Sequence, residues 1–506
     1  MAASPERIKH NGSTTRKGVF PLAITLGTLL MVFSAFFWDE GRANQQKHPN
    51  ILVIFTDQWS GRALGYVGRE KVQTPNLDGL TKEGLALTQM VSNYPVCSPA
   101  RAMLLTGTYP LENKVISNAN SNSAPFGVEL PTDMVCWSDI LKAKGYSNGY
   151  IGKWHLEAPY QPYIPTSNNE GNTAWNEWTP PARRHGFDFW YAYNTYDQHD
   201  RPMYWDTKAT RDEFHYVDQW GPEHEAEKAI DYFTNKGGVR NAENPFALVV
   251  SINPPHSPYN TMPKKYLEPY KDIPLDSLVT EPNIPPAGTR MGDMYRKDIK
   301  NYYANITGVD AQIGRMISAL KDNGLLENTI VLITADHGNC LGKHDEVSKN
   351  NIYEESLLVP FLVYWKGKIR PGIDRELLAG MPDIFPTLLD LAGFKNDIPK
   401  SVQGVSHASY FLEREGRLPQ EQFIMGSISS DPARINSGFR GVRTQRYKLA
   451  YLRNGKKLQG YLFDLKADPY EMNNLYRTSQ PEVGRLKGRL QDWLVKTKDG
   501  FVLDEG

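Results

Sequence analysis

The sequence predicts an α/β protein, a mostly parallel sheet flanked by helices, with a smaller C-terminal α+β subdomain of antiparallel strands and a helix. Three observations carry this expectation. Short continuous apolar runs, typical of strands covered on both faces, alternate with segments of helical periodicity. Polar residues gather just beyond those runs, and after residue 395 the pattern changes to alternating strands. Taken in order, Ile51-Leu52-Val53-Ile54-Phe55 is the first buried strand. Ser98 as an N-cap and Pro99 at the first helical position open a helix of about two turns, which Gly107 can end. Residues 139–145 are the last turns of a helix closing on a glycine, 146–151 the strand that follows it, and 247–252 the next strand. Ile306, Val309, Ile313, Met316, Ile317 and Leu320 lie at helical spacing, ahead of a strand at 330–333. Residues 381–391 form a helix, and a Gly- and Ser-containing connector leads to Phe423-Ile424-Met425. Residues 441–444 and 447–451 alternate as antiparallel strands, with Gly455 in a turn, and a last helix covers 481–496.

Composition narrows the class of function. In 506 residues, 57 Lys and Arg balance 57 Asp and Glu, so the formal charge is zero and nothing favours nucleic acid as a partner. Cys97, Cys136 and Cys340 are the only cysteines, too few and too irregularly spaced for a disulfide scaffold, a zinc site or a redox dithiol. Arg7, Lys9, Arg16 and Lys17 precede the uncharged stretch 19–38, and Asp39-Glu40 follow it. That is a basic n-region and an apolar h-region, with Gly41-Arg42-Ala43 as a small-residue cleavage site. Residues 1–43 are therefore read as a signal peptide or, since the apolar stretch approaches spanning length, an N-terminal membrane anchor. In either case the rest of the chain is expected to be exported, periplasmic or secreted. It divides into a main domain at 48–395 and a C-terminal subdomain at 396–506.

The polar residues stand where an open parallel sheet puts its ligands, beyond the carboxyl ends of strands. Asp57 and Gln58 follow the first strand, Lys153 and His155 the second, His256 the third, and Asp336 and His337 the fourth. Two carboxylates, an amide oxygen and an imidazole form a plausible site for a hard or borderline divalent cation, calcium ahead of manganese. Cys97 lies at the positive end of its helix, and Arg101, one turn on, can point at the same anion.

Cys97-Ser98-Pro99-Ala100-Arg101, continued by Thr106-Gly107, resembles the type I sulfatase signature C-x-P-x-R with its T-G continuation. The resemblance recurs in order from Asn50 to about Tyr476, and is nearest to bacterial polysaccharide sulfatases of the alkaline phosphatase superfamily. It implies an alkaline-phosphatase-like fold and oxidation of Cys97 by a maturation enzyme to formylglycine (3-oxoalanine), whose hydrate is the nucleophile and joins the metal shell. Gly152-Lys153-Trp154-His155 resembles the family's G-K-W-H segment, whose lysine and histidine flank the formylglycine. His256, in Pro254-Pro255-His256-Ser257-Pro258, takes the place of the histidine that meets the leaving group. Lys349 matches the lysine that bridges sulfate and leaving oxygen, and nearby His344, with Lys343, is assigned to the substrate-facing rim. The resemblance then implies attack on sulfur, departure of the alcohol assisted by Lys349 and His256, and sulfate release aided by His155. Leu462-Phe463-Asp464-Leu465 with Asp468-Pro469-Tyr470-Glu471 resembles the C-terminal signature.

Gln58 and His337 depart from the commonest pattern, in which an aspartate and an asparagine stand at those places. The same variants occur in bacterial sulfatases and in related phosphonate monoester hydrolases that can carry manganese. Phosphonate monoester or phosphodiester hydrolysis is therefore the alternative activity, and an unmatured sugar-binding protein the alternative from another class. Between residues 157 and 244 the periodicity loosens. Six of the eleven tryptophans, from Trp154 to Trp220, fall around this insertion, which moves the expected substrate toward a sulfated carbohydrate, an algal or other polysaccharide. Arg183, Arg184, His185 and Arg211 are candidates for further anionic groups on such a polymer, although charge runs are usually solvated faces. His185-Gly186-Phe187-Asp188 resembles a structural turn of the family.

Overall fold

Asn50–Thr56 (NILVIFT) is buried along its whole length, as its unbroken apolar run requires, because neighbours flank both edges and helices cover both faces. It pairs in parallel with Phe246–Ile252 on one side and Thr329–Ala335 on the other. Ser147–Lys153 extends the parallel set beyond Phe246–Ile252, and Phe189–Tyr193 extends it once more. Phe361–Tyr364 joins the opposite side antiparallel to Thr329–Ala335, and shorter edge strands bring the sheet to ten. The register is flush at one end: Thr56 stands opposite both Ala335 and Ile252. The residues that follow these strands therefore leave the sheet at the same edge.

The computed structural model describes residues 48–504, which form one compact unit; the leader expected at 1–43 lies outside the described residues. Among the described residues no helix is long and apolar enough to cross a membrane. The helix read from Ile306 onward runs over Arg290–Asp322, and the Thr289 hydroxyl caps it by accepting from the Gly292 amide at 3.1 Å. Ile306, Val309, Ile313, Met316 and Leu320 are its buried stripe.

The C-terminal sheet has four antiparallel strands, Glu421–Gly426, Gly438–Thr444, Tyr447–Asn454 and Lys457–Asp464, followed by the helix Gln480–Thr497. A short helix, Ala408–Glu413, lies in what the sequence presents as connector. Buried charge joins this sheet to the larger one. Lys448 is fully buried between Glu354 (2.9 Å) and Glu471 (2.5 Å), and Arg443 meets Glu354 at 2.8 Å. Removing one partner from such a buried pair costs about 3–5 kcal/mol, so the join is intolerant of substitution.

Candidate active site

The helix that carries the cysteine spans Cys97–Thr106 and begins two residues earlier than its sequence implies. Val96 takes the flanking position and Ser98 does not cap. The Ser98 amide instead donates to Asn118 Oδ1 at 3.1 Å, while its hydroxyl donates to the His155 carbonyl at 2.6 Å. An external cap thus frees the serine to tie the helix start to the Lys153–His155 segment. Gly107, at φ 66°, ends the helix in the left-handed conformation.

Cys97 lies at the meeting point of the strand ends. Its Sγ is 3.0 Å from Lys349 Nζ, 3.3 Å from His337 Nε2 and 3.7 Å from Asp57 Oδ1. Burial and the Asp57 carboxylate push the thiol up, but Lys349, Lys153 and His337 together outweigh them and bring it down to about 5. The ligand atoms of Asp57, Cys97, Asp336 and His337 all fall within 4.8 Å of one another, and all four residues are buried. Their donor set, two carboxylates with a sulfur and an imidazole, is one that could hold a divalent cation. Gln58, at φ 65°, turns its amide Nε2 to the Tyr259 hydroxyl at 2.8 Å, and its Oε1 makes no hydrogen bond among the described residues. Such a non-glycine left-handed residue is strained, and the expected cluster of ligands includes it.

Arg101 faces elsewhere than at an anion beside Cys97. Its Nη2 donates to Asp57 Oδ2 and Asp336 Oδ2, both at 3.1 Å, and its Nη1 to the Lys153 carbonyl (2.9 Å) and Ser251 Oγ (2.7 Å). Buried under the sheet edge, it clamps the two carboxylates side by side. Asp57 is held well below the usual carboxylate range, burial being outweighed by Lys153, His256 and Lys349. Asp336 is pushed up to about 6 by burial and by the neighbouring Asp57 charge.

Lys153 Nζ lies 2.7 Å from Asp57 Oδ2 and donates to Asn253 Oδ1 at 3.1 Å. The glycine before it is obligatory: Gly152 has φ 92°, and a Cβ there would lie 2.2 Å from the Ser251 carbonyl oxygen. His155, at φ 55°, keeps both ring nitrogens buried without a hydrogen-bond partner among the described residues. Burial and the neighbouring Lys153 and Arg101 hold it well below its ordinary value, so the ring is neutral and free to accept a proton. His256 is brought down to about 4 by burial and Lys349, against the Asp57 charge; its Nδ1 lies 2.7 Å from the Ser257 carbonyl and 3.6 Å from Asp197 Oδ1.

One candidate falls outside this group. His344 lies flat against Tyr353, ring centroids 3.8 Å apart, with Nε2 3.0 Å from Asn283 Nδ2 and 3.3 Å from Glu355 Oε2. It does not line the cleft, because stacking holds its ring beside Glu355 and Glu471, the second of which belongs to the charged join described above. Asn118, Asn168, Trp175 and Asp197 line a cleft of about 480 Å³ with Cys97, Lys153, His155, His256 and Lys349. Asn118, Asn168 and Asp197 sit on irregular segments where no periodicity or motif marks them, whereas Trp175 belongs to the tryptophan-rich insertion. Of the six tryptophans, Trp154, Trp190, Trp205 and Trp220 are core, Trp178 is half-buried, and half-buried Trp175 faces the cleft. The expected polymer-reading arginines are engaged elsewhere: Arg183 with Glu157 and Glu129, Arg211 with Glu177, and Arg184 with the Thr179 and Thr207 carbonyls.

A parallel sheet whose strand ends converge on a buried carboxylate cluster, a helix-start cysteine and lysines fits a hydrolytic enzyme of alkaline-phosphatase-like architecture. The Sulfatase family model matches residues 49–394, and that of the N-sulphoglucosamine sulphohydrolase C-terminal region matches residues 342–499. An endo-4-O-sulfatase of Bacteroides thetaiotaomicron is 38% identical over 90% of this chain and 94% of its own. An ulvan-active sulfatase of Formosa agariphila is 32% identical over 94% and 86%. The crystal structure of yidJ from Bacteroides fragilis superposes with a TM-score of 0.86 at 47% identity, covering 90% of this chain and 97% of that one. The chain belongs to the sulfatase family. It is a sulfatase, and this reading stands over both the phosphonate hydrolase and the silent sugar-binding protein.

Proposed function

We propose that this sulfatase removes sulfate monoesters from a sulfated polysaccharide, using a formylglycine made from Cys97 by a maturation enzyme and one bound calcium ion. The observation that carries the reading is Cys97 at the foot of a cleft, ringed by Lys349, His337 and Asp57, with an aromatic side chain, Trp175, on the wall. The two relatives named for an endo-4-O-sulfate activity and for ulvan make a polymer ester the fitting class of substrate. A protein that acts on such polymers works outside the cytoplasm, in keeping with the basic and apolar leader.

Asp57, Gln58, Asp336 and His337 would hold the cation with residue 97. When bound, it supplies Lewis-acid withdrawal of negative charge from the ester. The aldehyde of formylglycine, as its hydrate, supplies the nucleophilic oxygen. The chain's own residues supply the rest. Arg101 keeps Asp57 and Asp336 side by side through its Nη2. Lys153 presents its ammonium group to the non-bridging sulfate oxygens, and Lys349 spans sulfate and leaving oxygen, where negative charge must be accommodated. His256 stands on the opening side and donates a proton to the departing alcohol, the ester anion favouring its charged form. His155, neutral and unpartnered, takes the proton that must leave residue 97 once the alcohol has gone. The test is sulfate release from a panel of defined sulfated oligosaccharides, with the mass of the Cys97 peptide measured on the same preparation. Matured enzyme that hydrolyses aryl sulfates and no sugar sulfate would refute the carbohydrate assignment.

A further inference from the structure

Charge is unevenly spread over the cleft. Its four basic side chains, Lys153, His155, His256 and Lys349, all stand around Cys97, where the sulfate would bind. The wall beyond them is uncharged except for Asp197, which is accompanied by Asn118, Asn168, Thr173 and Trp175. Burial pushes the Asp197 carboxyl up, but His256, Lys153, His199 and the Asn168 amide bring it down to about 2, so it is anionic at any working pH. Asn168 Nδ2 donates to its Oδ2 at 2.9 Å and Asn253 Nδ2 to its Oδ1 at 3.1 Å, which fix the carboxylate in place. None of Arg183, Arg184 and Arg211 lines the cleft, each being engaged by carboxylates or carbonyls elsewhere. Trp175, half-buried, meets His155 edge-on with ring centroids 6.0 Å apart.

We infer that the ring bearing the scissile sulfate is an otherwise uncharged hexose or N-acetylhexosamine, read by Asp197 and Asn168 and stacked on Trp175. The inference rests on the carbohydrate reading above and narrows it. A fixed carboxylate accepts hydrogen bonds from hydroxyl or amide groups. It repels a second sulfate or a uronate carboxylate on the side of the ring turned away from His256, and among the described residues that line the cleft no cation stands beyond the group around Cys97 to offset that repulsion. An indole face suits the apolar side of a neutral pyranose.

The test compares kcat/KM on matched oligosaccharides that carry the same scissile ester, on a neutral ring or on one with a second sulfate or a carboxylate. The charged ring is expected to be cleaved about tenfold or more slowly, from like-charge repulsion at close range. Asp197→Asn should lower both rates, because Asp197 also faces His256, yet bring the ratio to within about threefold by removing the charge. Trp175→Ala should raise KM for the neutral oligosaccharide by a clearly larger factor than KM for a small aryl sulfate, which has no pyranose to stack. Equal rates on the two rings in the parent enzyme overturn the inference while leaving the carbohydrate reading intact. An unchanged ratio in Asp197→Asn overturns the role given to that carboxylate. Turnover of aryl sulfate with no sugar sulfate accepted overturns the carbohydrate reading, and this inference with it.

Discussion

His256 and His155 differ in what surrounds them, and their alanine variants should fail in different ways. The His256 ring sits at about 4 in the free site, so protonating it at pH 7 costs about 4 kcal/mol. A bound ester anion about 4 Å from the ring, at an effective dielectric of about 20, contributes about 4 kcal/mol in the opposite direction. The two terms are of similar size, so a bound ester anion favours the charged ring that the proposed leaving-group role requires. Removing the ring should therefore cost roughly 10²–10⁴ in kcat on a sugar sulfate, whose alkoxide leaves poorly without a proton. An activated aryl sulfate leaves as a stable phenolate and should lose less than about tenfold. His155→Ala should slow both substrates through a step after alcohol departure, and so give a burst of released alcohol. The assay is steady-state and pre-steady-state alcohol release, with sulfate release measured in parallel, on an aryl and a sugar sulfate the parent enzyme accepts. Equal losses on both substrates for His256→Ala would refute the leaving-group role. A burst with His256→Ala instead of His155→Ala would show that the roles are reversed.

Cys97→Ala should abolish sulfate release while circular dichroism and the melting transition stay close to the parent; activity within about tenfold would remove residue 97 from the chemistry. Asp57→Asn or Asp336→Asn replaces a charged ligand clamped by Arg101 with a neutral amide, and elemental analysis should show reduced metal content in step with lost turnover. After chelation, calcium should restore the parent enzyme better than manganese. Glu225 provides a pH dependence of stability away from the chemistry: burial, only partly opposed by the Tyr204 and Tyr193 hydroxyls, pushes its carboxyl from 4.5 up to about 8. Between those values the folded chain holds a proton that the unfolded chain releases, so this contribution is full below about pH 4.5 and falls away toward pH 8. The loss is on the order of 3–5 kcal/mol at most, and Glu225→Gln should raise the melting temperature at pH 8 relative to the parent but not at pH 5.

Much of the frame was legible in the chain alone. Asn50–Thr56, Phe246–Ile252 and Thr329–Ala335 are short apolar runs rich in β-branched residues, and at seven residues each they suit an inner strand of a sheet better than a buried helix. The Cys97 string, Gly152 ahead of Lys153, and the Asp57 and Asp336 strand ends were marked because their chemistry depends on neighbours within a few residues. The tertiary structure decided what those neighbours do not control. Arg101 looked like a reader of anions, but Asp57 and Asp336, brought together by register from 44 and 235 residues away, take its guanidinium. His344 looked like part of the rim, but Tyr353 and Glu355 hold its ring beside the charged join. Trp175, Asn168 and Asp197 wall the cleft from irregular segments whose course is set by packing rather than by periodicity. Local patterns specify which residues are inner strand, turn or helix start, because those preferences are decided by adjacent backbone and side chains. The direction in which a long polar side chain points is decided by whichever buried partner the fold delivers to it, since an unpaired charge in the interior costs more than any local preference can offset.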